Sequence, residues 1–374
     1  MVARLASPRH FLMSPELTRP DWLKMRQRNS KFLWLDKNEN TDPTLRRLID
    51  QLVGELDSSV YSIYPDNGVL YRKLGEHLNV LPEQVILTPG SDGAIRSLFE
   101  AYVAPEDVVI HVQPTFAMYT VYCQIYGAKP VVMDYQPSTI GPILDVDAFV
   151  CAIKTHQPKL VCLANPGSPT GTVLPANELR RIIEATADVS GIMLVDEAYY
   201  PFYSKTVVGW LSEYKHLVVA RSFAKAWGLA GFRVGCAIGS SDVIGILHKI
   251  RPMYEVNTLA ICMLEKMLDY YDEVLQSVKR LEKGKQYFLD AMEQLGLQTL
   301  RGYGNFLHVA FGVYAHAVHT VLADKVLYRL EFNDPCLKGF SRFTTTTEEL
   351  FKPIVDVISK VVNTVNAKEV LTDA

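Results

Sequence analysis

At 374 residues the chain is long enough for two domains and a large core. An apolar share of 48%, a charged share of 21% and a net charge of -3 are ordinary for a soluble globular protein, and give no reason to expect nucleic acid or an acidic membrane as partner. The longest apolar runs, such as Leu160–Ala164, are far too short to span a bilayer. The opening residues lack the apolar core of a signal peptide, and the six cysteines show no paired spacing, so free thiols in a reducing cytoplasm are expected.

Residues 1 to 34 are mixed in character and punctuated by proline, which reads as an arm and not a domain. Trp34-Leu-Asp-Lys-Asn-Glu-Asn-Thr-Asp-Pro43 puts a polar cluster after an apolar pair: a turn, with Asp42-Pro43 opening the next helix. Tyr61-Ser-Ile-Tyr-Pro-Asp-Asn-Gly68 is a second turn. The pattern then predicts a strand over Val85–Thr88, a loop over Pro89–Gly93 and an amphipathic helix over Ala94–Tyr102. A glycine-rich loop opening a helix offers free N–H groups and the positive end of the helix dipole, both suited to a phosphate. By spacing alone that signal is weak.

Val108–His111 is the next strand, and Gln113–Tyr119 begins the following helix, carrying Phe116, whose flat face suits either a core or a flat ligand. Leu160–Ala164 runs as a strand into Asn165-Pro-Gly-Ser-Pro-Thr-Gly171, a loop stiffened by Pro166 and Pro169. Ile192–Val195 is a continuous apolar run, as a parallel strand covered on both faces should be. Asp196-Glu-Ala-Tyr199 stands at its carboxyl end, where open α/β sheets bind ligands.

Leu217–Ala220 reads as a short buried strand that delivers Ser222, then Lys225, then a glycine-rich segment containing Arg233. Lysine is rarely buried, so one fixed between a strand and a glycine-rich turn needs a reason. A lysine amine with a depressed pKa forms Schiff bases with carbonyls. Ser222 and Arg233, on either side of it, suit a phosphate. An aldehyde that carries a phosphate meets both requirements, which suggests pyridoxal phosphate.

Ser222-Phe-Ala-Lys-Ala-Trp-Gly-Leu-Ala-Gly-Phe-Arg-Val-Gly235 resembles the Schiff-base motif of the fold-type I aminotransferases of class I/II, and within them the histidinol-phosphate aminotransferase branch. The resemblance covers roughly residues 34 to 360. It implies an α/β chain: an arm over 1–45, a large cofactor-binding domain with a mostly parallel sheet over 46–250, and a smaller α+β domain over 251–374. It also implies that Lys225 forms the Schiff base and moves protons, and that Asp196 keeps the pyridine nitrogen protonated so that the ring draws electrons. Asn165 and Tyr199 would hydrogen-bond the phenolic oxygen, Phe116 would stack on the ring, and Ser91, Asp92, Gly93, Ser222 and Arg233 would hold the phosphate. Tyr64, in a matching Tyr-Pro pair, would reach across a homodimer interface to the partner's cofactor phosphate. Many relatives carry a hydroxyl residue just before the lysine. Here it is Ala224, so one phosphate hydrogen bond is expected to be absent, a loss of about 1 kcal/mol.

From Ser241 to Leu295 the apolar positions recur at helical spacing, and Gly304–Val309 reads as a strand start. His316 and His319 lack a third ligand for a metal. Arg329 and Arg342 match two arginines of the branch at the same separation, and Asn40 lies in its Asn-Glu-Asn-Pro segment. These three are the expected substrate contacts, gripping a phosphate or carboxylate, although Arg329 at a helix end would only favour the helix dipole. Beyond Arg342 the family's apolar-then-Gly-Thr pattern is replaced by Phe-Thr-Thr-Thr-Thr-Glu-Glu. The reading is a cytoplasmic, pyridoxal-phosphate-dependent transaminase acting on a small-molecule amino donor and keto acceptor, with no metal. Two alternatives remain open: a threonine-phosphate-type decarboxylase on the same scaffold, and a non-catalytic binding module.

Overall fold

The computed structural model describes residues 28–372 together with Leu12 and Leu17. Most of the expected arm therefore lies outside the described residues. After β1 (Leu33–Trp34), α1 (Pro43–Gly54) opens as its sequence predicts. Asp42 accepts from the N–H groups of Thr44 and Leu45, and Pro43 fills the first position, where no N–H is needed. α2 (Gly68–Leu78) leads to β2 (Val85–Thr88) and α3 (Gly90–Tyr102), so the expected loop over 89–93 is already helix from Gly90. That helix start carries no side-chain cap, which removes the signal by which sequence places helix ends.

The alternation continues through β3 (Val108–Gln113), α4 (Met118–Tyr126), β4 (Lys129–Asp134), α5 (Val146–His156), β5 (Leu160–Ala164) and α6 (Ala176–Asp188). β6 (Ile192–Asp196), β7 (Leu217–Ser222), β8 (Gly235–Gly239) and α7 (Ser241–Ile250) complete it. The seven strands form one sheet in the order β2-β8-β7-β6-β5-β3-β4. β3 through β7 pair in parallel, and β8 runs antiparallel to both neighbours. Alternate residues of each central strand feed opposite layers. Val161, Leu163, Met193, Val195 and Val219 join the core under α5 and α6, while Cys162, Leu194, Val218 and Ala220 join the core under α3, α4 and α7. Burial on both faces explains why these strands read as unbroken apolar runs.

α8 (Thr258–Asp269) packs into the first of these cores. α9 (Tyr271–Gln294) starts there with Val274 and Val278, and ends in a third core with Phe288, Leu289 and Met292. β9 (Gln298–Leu300) sends Leu300 into the first core, and the third is completed by β10 (Phe306–Ala310), α10 (Ala315–Leu322), β11 (Val326–Leu327), β12 (Phe340–Thr344) and α11 (Glu348–Thr372). β9, β10 and β12 form an antiparallel sheet, and β1 pairs in parallel with β11. The architecture is α/β, with a mostly parallel large sheet and a smaller α+β layer. No described helix is long and apolar enough to cross a membrane. All six cysteines are free; Cys123, Cys162, Cys236 and Cys336 are buried and Cys151 is exposed.

Candidate active site

The carboxyl ends of β5, β6 and β7, the start of α3, the segment over 36–38 and β12 converge on a cleft of about 370 Å³. Its lining includes Ser91, Asp92, Phe116, Asp196, Tyr199, Ser222, Lys225, Arg233 and Arg342, nine of the residues singled out from sequence. Its position beyond the strand ends is where an open α/β sheet leaves free backbone and room for a ligand.

Lys225 follows β7 by three residues, in a turn closed by hydrogen bonds from Phe223 N–H to the Val234 carbonyl and from Leu229 N–H to the Phe223 carbonyl. Its Nζ donates to the Lys37 carbonyl at 2.8 Å and lies 5.9 Å from the Tyr199 ring centre. Burial lowers its pKa to about 8, helped by the positive charges of Arg342 and Arg233 and opposed by Glu39 and Asp196. An amine held near neutrality both attacks carbonyls and exchanges protons.

Asp196 ends β6 on the cleft floor and is 5% exposed. Burial raises its pKa to about 6, against the pull of hydrogen bonds donated by Ala198 N–H at 3.0 Å and the Tyr119 hydroxyl at 3.1 Å. Tyr119 is fully buried and meets Phe116 edge-on, so it braces both the carboxylate and the aromatic wall. It carries no local motif, and sequence reading missed it. A buried carboxylate without an ion pair among the described residues is poised to take a positive partner.

At the other end of the cleft stands the uncapped start of α3. Gly90 adopts φ of 77°, and a Cβ there would lie 2.9 Å from the Arg233 guanidinium. Among the described residues the Arg233 guanidinium makes only long hydrogen bonds, 3.4 Å each, to the carbonyls of Ala230 and Pro89. Ser222 Oγ accepts from Ala224 N–H at 3.3 Å, which leaves its proton to donate. A helix start without a cap, a weakly engaged guanidinium and a free hydroxyl together form an anion seat. Asp92 has its carboxylate engaged by the Tyr122 hydroxyl at 3.0 Å. Gly93 does not line the cleft; a Cβ there would stand 2.5 Å from the Pro89 ring, so packing requires this glycine. Amine, aromatic wall, buried carboxylate and anion seat fit pyridoxal phosphate. Ala224 also lines the cleft and adds no hydroxyl.

Other expected contacts fall elsewhere. Asn165 sits beside the cleft, and its amide oxygen accepts from Leu174 N–H at 3.0 Å, which leaves the NH2 group as the donor. Asn40 is not a lining residue: its NH2 group donates to the Ala226 carbonyl and to Ser277 Oγ, and its oxygen accepts from Asp42 N–H. Asn38, two residues earlier, takes the cleft position, donating to the Tyr199 hydroxyl at 2.9 Å. Arg342 is 8% exposed, donates to the Asp36 carbonyl at 2.8 Å, and keeps a buried Nε without a partner. Arg329 lies outside the cleft and on no helix. Its backbone bridges Arg342, and its guanidinium stacks on Phe332 at 4.0 Å. Standing on no helix, it does not fit the helix-dipole reading. Tyr64 is 76% exposed and stacks on Tyr254 at 4.2 Å, and is not among the residues that line the cleft. His319 bonds the Tyr328 hydroxyl, and among the described residues no group of three or more His, Cys, Asp or Glu is placed to hold a metal ion.

Comparison with known proteins gives a consistent picture. Residues 30–358 match the family model for aminotransferase class I and II. A histidinol-phosphate aminotransferase of a Thermoanaerobacter species is 31% identical, over 84% of this chain and 89% of that one. Its counterpart from Roseiflexus castenholzii is 32% identical, over 88% and 90%. Among solved structures, the histidinol-phosphate aminotransferase from Sinorhizobium meliloti in complex with pyridoxal-5'-phosphate superposes with a TM-score of 0.76 at 21% identity, covering 89% of this chain and 91% of that one. The aspartate aminotransferase from Thermus thermophilus with maleate does so at 0.73 and 20%, covering 88% and 92%. These two likenesses concern the fold.

Proposed function

Because the chain belongs to the class I and II aminotransferase family, a pyridoxal-phosphate-dependent group of transaminases, we propose that it moves an amino group between an amino acid and a small phosphate-bearing partner, histidinol phosphate and its keto counterpart. The observation that carries the anionic substrate is Arg342, a buried guanidinium with a spare N–H in the same cleft as Lys225. The test is to supply histidinol phosphate with a 2-oxo acid and follow amino transfer, with release of carbon dioxide measured in the same tube. The relatives named above are aminotransferases, which does not favour the decarboxylase alternative.

When bound, pyridoxal phosphate supplies an aldehyde for amines and a ring that draws electrons. The residues do the rest. Ser222, Arg233 and the N–H groups opening α3 would hold the phosphate. Phe116 would shield the ring from water. Asp196 would balance a positive charge at the ring nitrogen. Lys225 Nζ, released from the Lys37 carbonyl, would take the proton from the substrate carbon that bears the amine and deliver it to the carbon of the former aldehyde, so that the amino group stays behind when the keto product leaves. Arg342 fixes the substrate anion and so aims the bond to be broken.

Arg342→Lys is expected to lower kcat/KM for the phosphorylated substrate about ten- to a hundred-fold, the value of one charge-assisted contact of about 1.5–3 kcal/mol. Arg329→Lys, made in parallel, is expected to lower it by less than about three-fold, the size of a surface electrostatic effect. A small drop for Arg342→Lys would move the anion site elsewhere.

The working unit is a homodimer in which Tyr64 serves the neighbouring cleft, since its exposed ring has no role in its own. Sedimentation should give a dimer. Mixing inactive Lys225→Ala subunits with Tyr64→Ala subunits should raise activity, because one site of each hybrid keeps both residues. No gain on mixing would put Tyr64 outside the partner's site.

A further inference from the structure

The three consecutive residues over 36–38 each touch one cleft group. The Asp36 carbonyl accepts from Arg342, the Lys37 carbonyl from Lys225, and Asn38 donates to Tyr199. The Asn38 contact has a direction that neighbouring hydrogen bonds dictate. Asn38 N–H donates to Thr344 Oγ1 at 2.9 Å, so the Thr344 hydroxyl must send its own proton elsewhere. It donates to Asn38 Oδ1 at 3.2 Å. With Oδ1 identified as the acceptor, the opposite end of the amide is the NH2 group, and it faces the Tyr199 oxygen. Asn38 is 2% exposed, so no solvent competes for either end. Its φ of 56° is one that asparagine tolerates and most residues do not.

Resting on the reading of a bound pyridoxal phosphate, we propose that Asn38 is a positioning residue: fixed by Thr344, it occupies a lone pair of the Tyr199 oxygen and makes that hydroxyl a donor toward the cleft. Ser168 Oγ lies 3.1 Å from the same oxygen. When Ser168 also donates, both acceptor positions of Tyr199 are filled and its single proton has only the cleft to enter. Of the charged groups facing Tyr199, Lys225 Nζ lies 5.9 Å from its ring centre and is engaged by the Lys37 carbonyl, and the Arg342 guanidinium only donates, so neither competes for that proton. Thr344 stands two residues beyond Arg342 on the same face of β12, so the strand that grips the substrate anion also sets this amide.

The test reads a spectrum as well as a rate. A hydroxyl donating to the phenolic oxygen of the bound cofactor favours that oxygen as an anion, and losing the donor raises the pH midpoint of the visible band. Asn38→Asp keeps the shape and tolerates the same φ, yet its carboxylate only accepts, so it turns the Tyr199 proton away from the cleft. Thr344→Val frees the amide to flip, and Thr344→Ser restores the hydroxyl. One neutral hydrogen bond corresponds to about one pH unit. The midpoint of the cofactor-loaded protein is therefore expected to rise by about that for Thr344→Val, by more for Asn38→Asp, and to return to the wild-type value for Thr344→Ser. Melting of the cofactor-free proteins is measured alongside. Lower melting temperatures with an unmoved midpoint in Thr344→Val and Asn38→Asp overturn the inference, leaving the network a purely structural role. A wild-type protein with no visible band on mixing with the cofactor overturns instead the functional reading beneath it.

Discussion

Lys225→Ala is expected to abolish turnover while the protein still folds and binds the cofactor noncovalently. On the proposed reading the residue supplies two things at one atom, an amine for capture of the aldehyde and a base for the proton shift, and a positioned base alone contributes roughly 10²–10⁴-fold. The other basic side chains lining the cleft are those of Arg233, Arg342 and Lys37, and Lys37 meets Lys225 through its backbone carbonyl. Borohydride reduction of the loaded native protein, followed by peptide mapping, should place the label on Lys225; a label on another lysine refutes the assignment. The depressed pKa also has a stability consequence. The folded chain binds fewer protons at Lys225 than the unfolded chain between pH about 8 and 10.5, so stability rises with pH across that window. Below it the charged amine destabilises the fold. Without cofactor, Lys225→Met is therefore expected to melt above wild type at pH 7, the gap closing above pH 10.5.

Asp196→Asn is expected to be nearly as damaging to the rate. An uncharged amide cannot balance a cationic ring nitrogen, and loss of one member of a buried pair costs about 3–5 kcal/mol, roughly 10²–10⁴-fold in kcat. The cofactor-free protein should show the opposite trend. Burial has raised the Asp196 pKa from 3.8 to about 6, so the folded chain holds its proton more tightly, and stability falls as pH rises through that range. Asparagine removes this term. Urea denaturation from pH 4 to 8 should find the variant more stable than wild type above pH 6 and equal to it near pH 4. A variant with normal kcat, or with the wild-type pH profile, would exclude Asp196 from this role.

The groups legible in the sequence are those that a strand delivers directly. Asp196 ends β6, Ser222 ends β7, and Lys225 and Arg233 occupy the turn that follows, so apolar runs and glycine punctuation suffice to find them. The same runs give the parallel sheet. What sequence left hidden depends on where side chains point after distant segments pack. Asn38 and Asn40 are chemically equivalent in the sequence, and only the meeting with Thr344 on one side and Ser277 on the other separates cleft from scaffold. Arg329 and Arg342 look alike for the same reason, yet one stacks outward on Phe332 and the other turns inward. Tyr119 gave no signal because a tyrosine in an apolar helix usually fills a core. The start of α3 at Gly90 was obscured by the missing cap that suits it to an anion.

The segment over 33–38 also sets an order of events during synthesis. Leu33 and Trp34 pair with Val326 and Leu327, and Asn38 finds Thr344 at a separation of 306 residues. During translation the large sheet can form while the N-terminal segment has no strand to dock on, because β11 and β12 follow every strand of that sheet in the chain. Contacts of such long span are slow to close and follow local structure in time. The nascent chain therefore carries Lys225 and Asp196 in place before the carbonyl of Lys37 and the amide of Asn38 reach them. The cleft is therefore completed only after β11 and β12 have been made.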